Sequence, residues 1–135
     1  MKTEEIVRLI RHAREARLHA YAPYSRFPVG AAVLTLDGRI FSGCNVENAS
    51  YPAGLCAERN AVGSAVAAGV TEFAALAVAG SESAYTTPCG LCRQFLAEFR
   101  VPLVFCAKTE TDYLVITEEE LLPHAFGAES LKEKE

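Results

Sequence analysis

The sequence lacks any apolar run approaching the roughly 20 residues that a membrane-spanning helix needs, which excludes a helical membrane protein. It is also short of positive charge. Thirteen Lys and Arg against 17 Asp and Glu give a formal net charge of -4. Polyanion affinity rests on basic patches that release counterions, so this balance excludes a nucleic-acid polymer as the expected partner. The opening stretch, MKTEEIVRLIRHAREARLHA, has no apolar h-region of a secretory signal. Glu4, Glu5 and Glu15 are out of place in a transit peptide, which is acid-poor. Internal repeats, low-complexity blocks and linkers are missing too. The cysteines are Cys44, Cys56, Cys89, Cys92 and Cys106, an odd number that does not suit a closed disulfide framework. These absences predict a cytoplasmic chain in a reducing compartment, where clustered cysteines serve metal binding or catalysis.

What is present fits a globular protein. Half the residues are hydrophobic and 22% are charged. A length of 135 residues predicts one domain over 1–135 with room for a single core, and a flexible tail over about 128–135. Ile6, Leu9, Ile10, Ala13 and Ala20 recur at helical spacing and predict a first helix from Thr3 to just before Ala22-Pro23. Its arginines, His12 and His19 read as solvated or structural. Val29–Leu36 and Arg39–Val46 read as two strands joined by an Asp37-Gly38 hairpin turn. Loops at 23–28 and 47–55 flank them. Cys56–Ala68 is Ala-rich and helical, with Gly69 as its C-terminal cap. Phe73–Ala79 is apolar on both parities, as a strand buried on both faces is.

Pro88 predicts the first turn of a helix running to about Phe99. Pro102–Cys106 and Tyr113–Thr117 are the fourth and fifth strands, and a short helix over Glu118–Leu122 follows. The link 107–112 is too short for a parallel crossover, which takes about a dozen residues or more, so strands four and five are expected to pair antiparallel. The fold class predicted is α/β: a three-layer α/β/α sandwich around a mixed five-stranded sheet. Lys132-Glu133-Lys134-Glu135 is expected to fray.

The chemistry concentrates in Cys56-Ala57-Glu58-Arg59 and Pro88-Cys89-Gly90-Leu91-Cys92. Cys89 and Cys92, three apart at a helix start, face the same way, and Cys56 opens another helix. If the two helix tips converge, their positive dipole ends favour thiolates, the form that binds metal. Three protein ligands without an obvious fourth is the arithmetic of a catalytic zinc, which keeps one position for water. Three thiolates leave the site at a formal charge of -1, which blunts the metal's acidifying effect on that water. Arg59, three residues past Cys56, is placed to donate hydrogen bonds to the sulfurs from the outer shell. Glu58 is a candidate proton shuttle.

Plainer alternatives stand beside this. A structural zinc takes four protein ligands, with Cys44 or Cys106 completing the set. Either cysteine is equally a small buried hydrophobe. A thioredoxin-like redox C-x-x-C leaves Cys56 and Glu58 without a task. Alone, Glu58 is also an ordinary first-turn acid and Arg59 an ordinary surface arginine. The joint spacing favours the catalytic reading.

At these residues the sequence resembles the small, homotetrameric cytidine deaminases, a branch of the zinc-dependent base deaminases. The resemblance spans about 20–131. It includes Tyr24-Ser25-Arg26-Phe27-Pro28-Val29-Gly30-Ala31-Ala32, Gly43-Cys44-Asn45-Val46-Glu47-Asn48-Ala49, the two cysteine motifs, Arg93-Gln94, Leu121-Leu122-Pro123 and Phe126-Gly127. The cysteine motifs fit any deaminase of the superfamily; the Asn45–Asn48 block is the specific one.

The resemblance implies that Cys56, Cys89 and Cys92 bind one Zn²⁺ per subunit, with Glu58 as proton donor and acceptor. It implies Asn45 and Glu47 as ribose contacts, with Val46 in the same substrate-binding block. Phe27 matches a ring of the base pocket, and Ala57 a backbone N–H that meets the pyrimidine carbonyl. Phe126 matches a ring reaching a neighbouring subunit's site; without the family it reads as a hydrophobe pinning the tail to the core. The reaction implied is hydrolytic deamination of cytidine and 2′-deoxycytidine to uridine and 2′-deoxyuridine, releasing ammonia, in pyrimidine salvage. A free 3′-OH in the Asn45–Glu47 grip again disfavours a polynucleotide, and the short link after strand four resembles the free-nucleoside branch. Leu91 and Asn60 depart from the usual alanine and threonine. Competing functions are a deaminase of a cytosine-nucleoside antibiotic such as blasticidin S, and a zinc-stabilised interaction or nucleic-acid-binding module.

Overall fold

A computed structural model describes residues 1–132. The elements run α1 (Thr3–Arg17), β1 (Gly30–Thr35), β2 (Ile40–Cys44), α2 (Ala57–Ala67), β3 (Phe73–Ala79), α3 (Gly90–Glu98), β4 (Leu103–Ala107), β5 (Tyr113–Thr117) and α4 (Glu118–Leu121). Short 3₁₀ turns occupy Tyr51–Ala53 and Ala128–Leu131. Each strand and helix expected from the sequence is present, most with ends one or two residues shorter. Within the tail, Ala128–Leu131 forms a 3₁₀ turn, and residues 133–135 lie outside the described residues.

The five strands form one mixed sheet in the order β2-β1-β3-β4-β5. β1 pairs antiparallel with both β2 and β3, β3 runs parallel to β4, and β4 pairs antiparallel with β5. The connection lengths explain this. A long crossover through α3 permits β3 and β4 to run parallel, whereas the link 108–112 permits only a reversal.

Residue size decides how helices cover the sheet. One face presents Ala32, Ala75, Ala77, Ala79 and Ala107 together with Leu34 and Phe105, and Leu9, Ile10 and Ala13 of α1 pack there. The other face presents Val33, Leu76, Val78, Val104 and Cys106 to Val62 and Ala65 of α2 and Leu96 of α3. β3 is buried on both sides, as its unbroken apolar run requires. Cys106 is a small hydrophobe of this core, and burial pushes its thiol up to about 12.

The register then decides where the loops meet. Gly30 lies opposite Cys44 on one side and Ala79 on the other, and Ala79 lies opposite Ala107. The segments 24–29, 45–56, 80–89 and 108–112 therefore gather along one edge of the sheet. α2 and α3 both start from segments on that edge.

Two differences from sequence expectation have local causes. α1 stops at Arg17 instead of continuing to Tyr21, because the Tyr21 N–H donates to the Asn45 carbonyl and the Tyr21 carbonyl accepts from the Glu47 N–H. That bridge pulls the chain out of the helix. Pro88 lies outside α3, not in its first turn, because Cys89 takes the N-cap with extended backbone angles. Two turns follow expectation. Gly38 in the hairpin has φ 89° and Gly69 after α2 has φ 88°.

Close approach of backbones depends on two other glycines. A Cβ at Gly43 would lie 2.5 Å from the Ala61 nitrogen, and one at Gly30 would overlap the Ala13 carbonyl and the Arg17 nitrogen. Neither neighbour is a movable side chain. Gly30→Ala should destabilise the protein by roughly 1–3 kcal/mol or more, as overpacking does. Gly63→Ala, in the interior of α2 with nothing within 4 Å of the new Cβ, should stabilise by about 0.5–1 kcal/mol. Urea denaturation of both variants checks the opposite signs.

Candidate metal centre

Cys56 is the N-cap of α2 and Cys89 the N-cap of α3. Their backbones are extended, with φ/ψ of -73°/152° and -69°/168°, and neither side chain accepts a capping hydrogen bond. Their sulfurs therefore turn away from the helix N–H groups and toward each other. Cys92, in the first turn of α3, supplies the third thiol.

The three sulfurs all lie within 4.8 Å of one another. Tetrahedral Zn–S bonds of about 2.3 Å separate two sulfurs by about 3.8 Å. The Cys56 and Cys89 Sγ atoms are 3.8 Å apart. The cluster thus has the span that one zinc ion requires. Cys92 is buried, Cys56 half-buried and Cys89 exposed, so the site opens to solvent on the Cys89 side. Among the described residues, no other cysteine, histidine or carboxylate joins the group. Cys44 ends β2 and Cys106 lies in the core, which removes the fourth ligand that a closed structural site needs.

The electrostatics favour thiolate at Cys56. Cys56 is lowered to about 5, chiefly by the hydrogen bond from the Cys92 thiol, with burial opposing and Arg59 assisting. Cys92 is correspondingly raised, because its proton is held by Cys56 and its burial disfavours charge. Arg59 Nη2 lies 3.7 Å from Cys56 Sγ. Burial pulls this guanidinium down, but its bonds to Cys56 and Cys92 outweigh that and raise it. Its Nε is buried without a partner among the described residues.

Glu58 lies in the first turn of α2 and is only 4% exposed. Burial pushes its carboxyl up to about 7, and the Cys56 charge adds to the rise. A carboxyl near neutrality can both hold and release a proton at physiological pH. Ala57 precedes it, fully buried, at a helix position whose N–H has no intrahelical acceptor.

The other residues singled out from sequence fall into two groups. Phe27, Asn45, Val46 and Glu47 are brought together. The Asn45 amide donates to the Phe27 carbonyl and accepts from the Val29 N–H. Glu47 Oε1 accepts from the Tyr24 and Ser25 N–H groups. Val46 exchanges backbone hydrogen bonds with Leu55, the residue before Cys56. The Phe27 ring lies against Gly80, where a Cβ would come within 2.9 Å of its Cζ. Tyr24, Ser25, Glu47, Asn48, Tyr51 and Gly54 line a cleft of about 310 Å³ beside this group.

Phe126 stands apart. It is 58% exposed, so its ring does not pin the tail to the core; only its carbonyl is held, by Gln94 of α3 at 2.7 Å. It borders a larger cleft of about 620 Å³ that contains none of the thiols. Three residues that the sequence names without a role turn out to support the site. Arg93 donates to the Pro88 and Leu121 carbonyls, strapping the start of α3 to the end of α4. Gln94 holds the tail, and Asn60 donates to the Cys44 carbonyl at the end of β2. All three lie in or next to the motifs, but their targets are backbone carbonyls, which leave no mark in a sequence.

This arrangement has close counterparts. The family model described as the cytidine and deoxycytidylate deaminase zinc-binding region matches residues 3–108. A cytidine deaminase of Sporosarcina psychrophila is 45% identical over 130 residues, covering 94% of this chain and 95% of the relative. A probable cytidine deaminase of Dictyostelium discoideum is 42% identical, covering 97% and 90%. The crystal structure of a cytidine deaminase from Burkholderia pseudomallei superposes with a TM-score of 0.83 at 50% identity, over 88% of this chain and 97% of that one. With the cysteine cluster falling inside the matched region, the chain belongs to the cytidine and deoxycytidylate deaminase family and carries its zinc-binding centre.

Proposed function

We propose that the protein is a zinc-dependent cytidine deaminase. It hydrolyses cytidine and 2′-deoxycytidine to uridine and 2′-deoxyuridine, with release of ammonia, in pyrimidine salvage. The observation that carries this is the buried Glu58, two residues past Cys56 in the first turn of α2, beside a three-thiol zinc centre with no fourth protein ligand among the described residues. When bound, zinc supplies the Lewis acidity that brings the pKa of a water toward neutrality.

The chain's own residues do the rest. The Glu58 carboxylate takes a proton from the attacking water and delivers it to N3 of the cytosine ring. With the water oxygen bonded to C4, Glu58 then takes the proton of the new C4 hydroxyl and gives it to the amino group, so that the C4–N bond breaks, ammonia leaves and the C4 carbonyl forms. Burial keeps this carboxyl near 7, so neither transfer is steeply uphill. Arg59 donates toward the sulfurs and offsets their charge. The Ala57 N–H meets the pyrimidine carbonyl and the Phe27 ring packs against the base. Asn45, Val46 and Glu47 form the sugar side, where an amide and a carboxylate serve a 3′-OH as donor and acceptor.

A homotetramer belongs to the same proposal. In it the exposed Phe126 ring reaches a neighbouring subunit's site. So does a cytoplasmic setting, with free nucleosides and no nucleic-acid polymer as partners. The architecture proposed is the three-layer α/β/α sandwich of the free-nucleoside branch, in one domain over 1–135 with strands four and five antiparallel.

Three outcomes test this. Glu58→Gln should lower cytidine turnover by roughly 100- to 10,000-fold while zinc stays at one per chain by atomic absorption. Retained turnover removes Glu58 from the mechanism. Cys89→Ser should leave the purified protein substoichiometric in zinc and lower its melting temperature. Full zinc occupancy would show that the exposed thiol is not a ligand. Side-by-side assays should give rapid ammonia release from cytidine and little from blasticidin S; the reverse order assigns the chain to the antibiotic deaminases.

A further inference from the structure

Asn45 and Glu47 are engaged before any nucleoside arrives. Their side chains hold an irregular loop that has no secondary structure of its own to hold it. Val29 donates to Asn45 Oδ1 at 2.8 Å, and Asn45 Nδ2 donates to the Phe27 carbonyl at 3.0 Å. Tyr24 and Ser25 both donate to Glu47 Oε1, at 2.9 and 3.0 Å. The remaining amides of the stretch turn inward. Arg26 donates to the Ala22 carbonyl, and Phe27 to the Ser25 hydroxyl. Arg26 adopts φ 56°, a left-handed conformation that a non-glycine residue keeps only when its surroundings impose it.

The valences of the two side chains are half used. A primary amide has two N–H donors and a carbonyl with two lone pairs. Asn45 spends one of each on the loop. Glu47 takes both backbone amides on Oε1, with the Ser25 side chain also bonding its carboxylate and lowering it, and no backbone donor reaches Oε2 among the described residues. What remains on the same two side chains is one N–H, one lone pair and one carboxylate oxygen free of backbone donors.

We propose that Asn45 and Glu47 are positioning residues for the loop 24–29: they clamp it and thereby fix the Phe27 ring and one wall of the cleft, besides meeting the sugar through their unused atoms. This rests on the proposed nucleoside site and adds a second task to it. Sugar and ring are then linked through two shared side chains. The clamp also reaches the metal centre, because the 45–47 backbone bonds to Tyr21 on one side and to Leu55, next to Cys56, on the other. A change at Asn45 disturbs the base pocket even for a ligand that has no sugar hydroxyl to lose.

Hydrogen exchange of the zinc-loaded, ligand-free protein, read by mass spectrometry, tests the clamp without any substrate. Asn45→Ala removes both side-chain bonds and should speed exchange over 21–29 by about tenfold or more. Exchange over α2 and the zinc content should stay unchanged. Glu47→Ala should do the same at Tyr24 and Ser25, whereas Glu47→Gln, which keeps an acceptor oxygen in place, should retain protection. If Asn45→Ala unfolds the protein, the Glu47 pair carries the test.

Competitive inhibition then separates clamp from sugar contact. Uridine and 2′,3′-dideoxyuridine differ at the hydroxyls that Asn45 and Glu47 would meet. Asn45→Ala should weaken dideoxyuridine by about tenfold as well as uridine. Unchanged exchange over 21–29, or unchanged dideoxyuridine affinity, overturns the clamp. Failure of the wild-type protein to deaminate cytidine would strike the proposed function instead and leave the exchange result standing.

Discussion

Three sulfur atoms have to reach one point from two helices, and that requirement governs the layout. A helix start is rigid, and its extended N-cap residue can aim a side chain only where the preceding segment allows. Cys56 and Cys89 meet because the segments ahead of them leave the same sheet edge, where Gly30, Cys44, Ala79 and Ala107 are held in register. Parallel pairing of β3 with β4 is the key step. It obliges the chain to cross over through α3, and the crossover brings Cys89 and Cys92 back beside α2.

The metal centre and the loops around it are also continuous in hydrogen bonding. The Val46–Leu55 bridge runs directly into Cys56, and Asn60 on α2 reaches back to the carbonyl at the end of β2. Arg93 does the equivalent for α3, tying its first turn to α4. The neutral bonds among these are worth about 1 kcal/mol net each and those of the Arg93 guanidinium about 1.5–3 kcal/mol. Their effect is geometric: each removes a rotation that would carry a thiol or Glu58 out of place.

Much of this was legible in the sequence where the determinant is local. The C-x-x-C spacing, the Asp37-Gly38 turn and the apolar run of β3 each declare themselves within a few residues. The antiparallel β4–β5 pair followed from nothing more than a short link. What the sequence concealed depends on contacts far along the chain. α1 had the periodicity to continue to Ala20, and it was Asn45 and Glu47, more than twenty residues on, that captured Tyr21 and ended it. Pro88 looked like a helix residue until Cys89 took the cap. Asn45 and Glu47 read as sugar contacts, and nothing in their type or spacing revealed that half their hydrogen-bonding capacity is committed to the backbone of another loop. The carbonyl targets of Asn60, Arg93 and Gln94 were invisible for the same reason.

α1 carries none of the proposed site residues, yet it covers the sheet face where Ala32, Ala75, Ala77 and Ala79 sit beside Leu34, and its last turn rests on Gly30 so closely that not even a methyl group fits between them. Alanine is too small to fill a gap by changing rotamer. Trimming this helix in a shortened variant would leave a water-exposed apolar strip along β2, β1 and β3. It would also unsupport the residue that aligns β2 with β3. Loss of activity in such a variant would then report a slackened frame, with every reacting group still present in the chain.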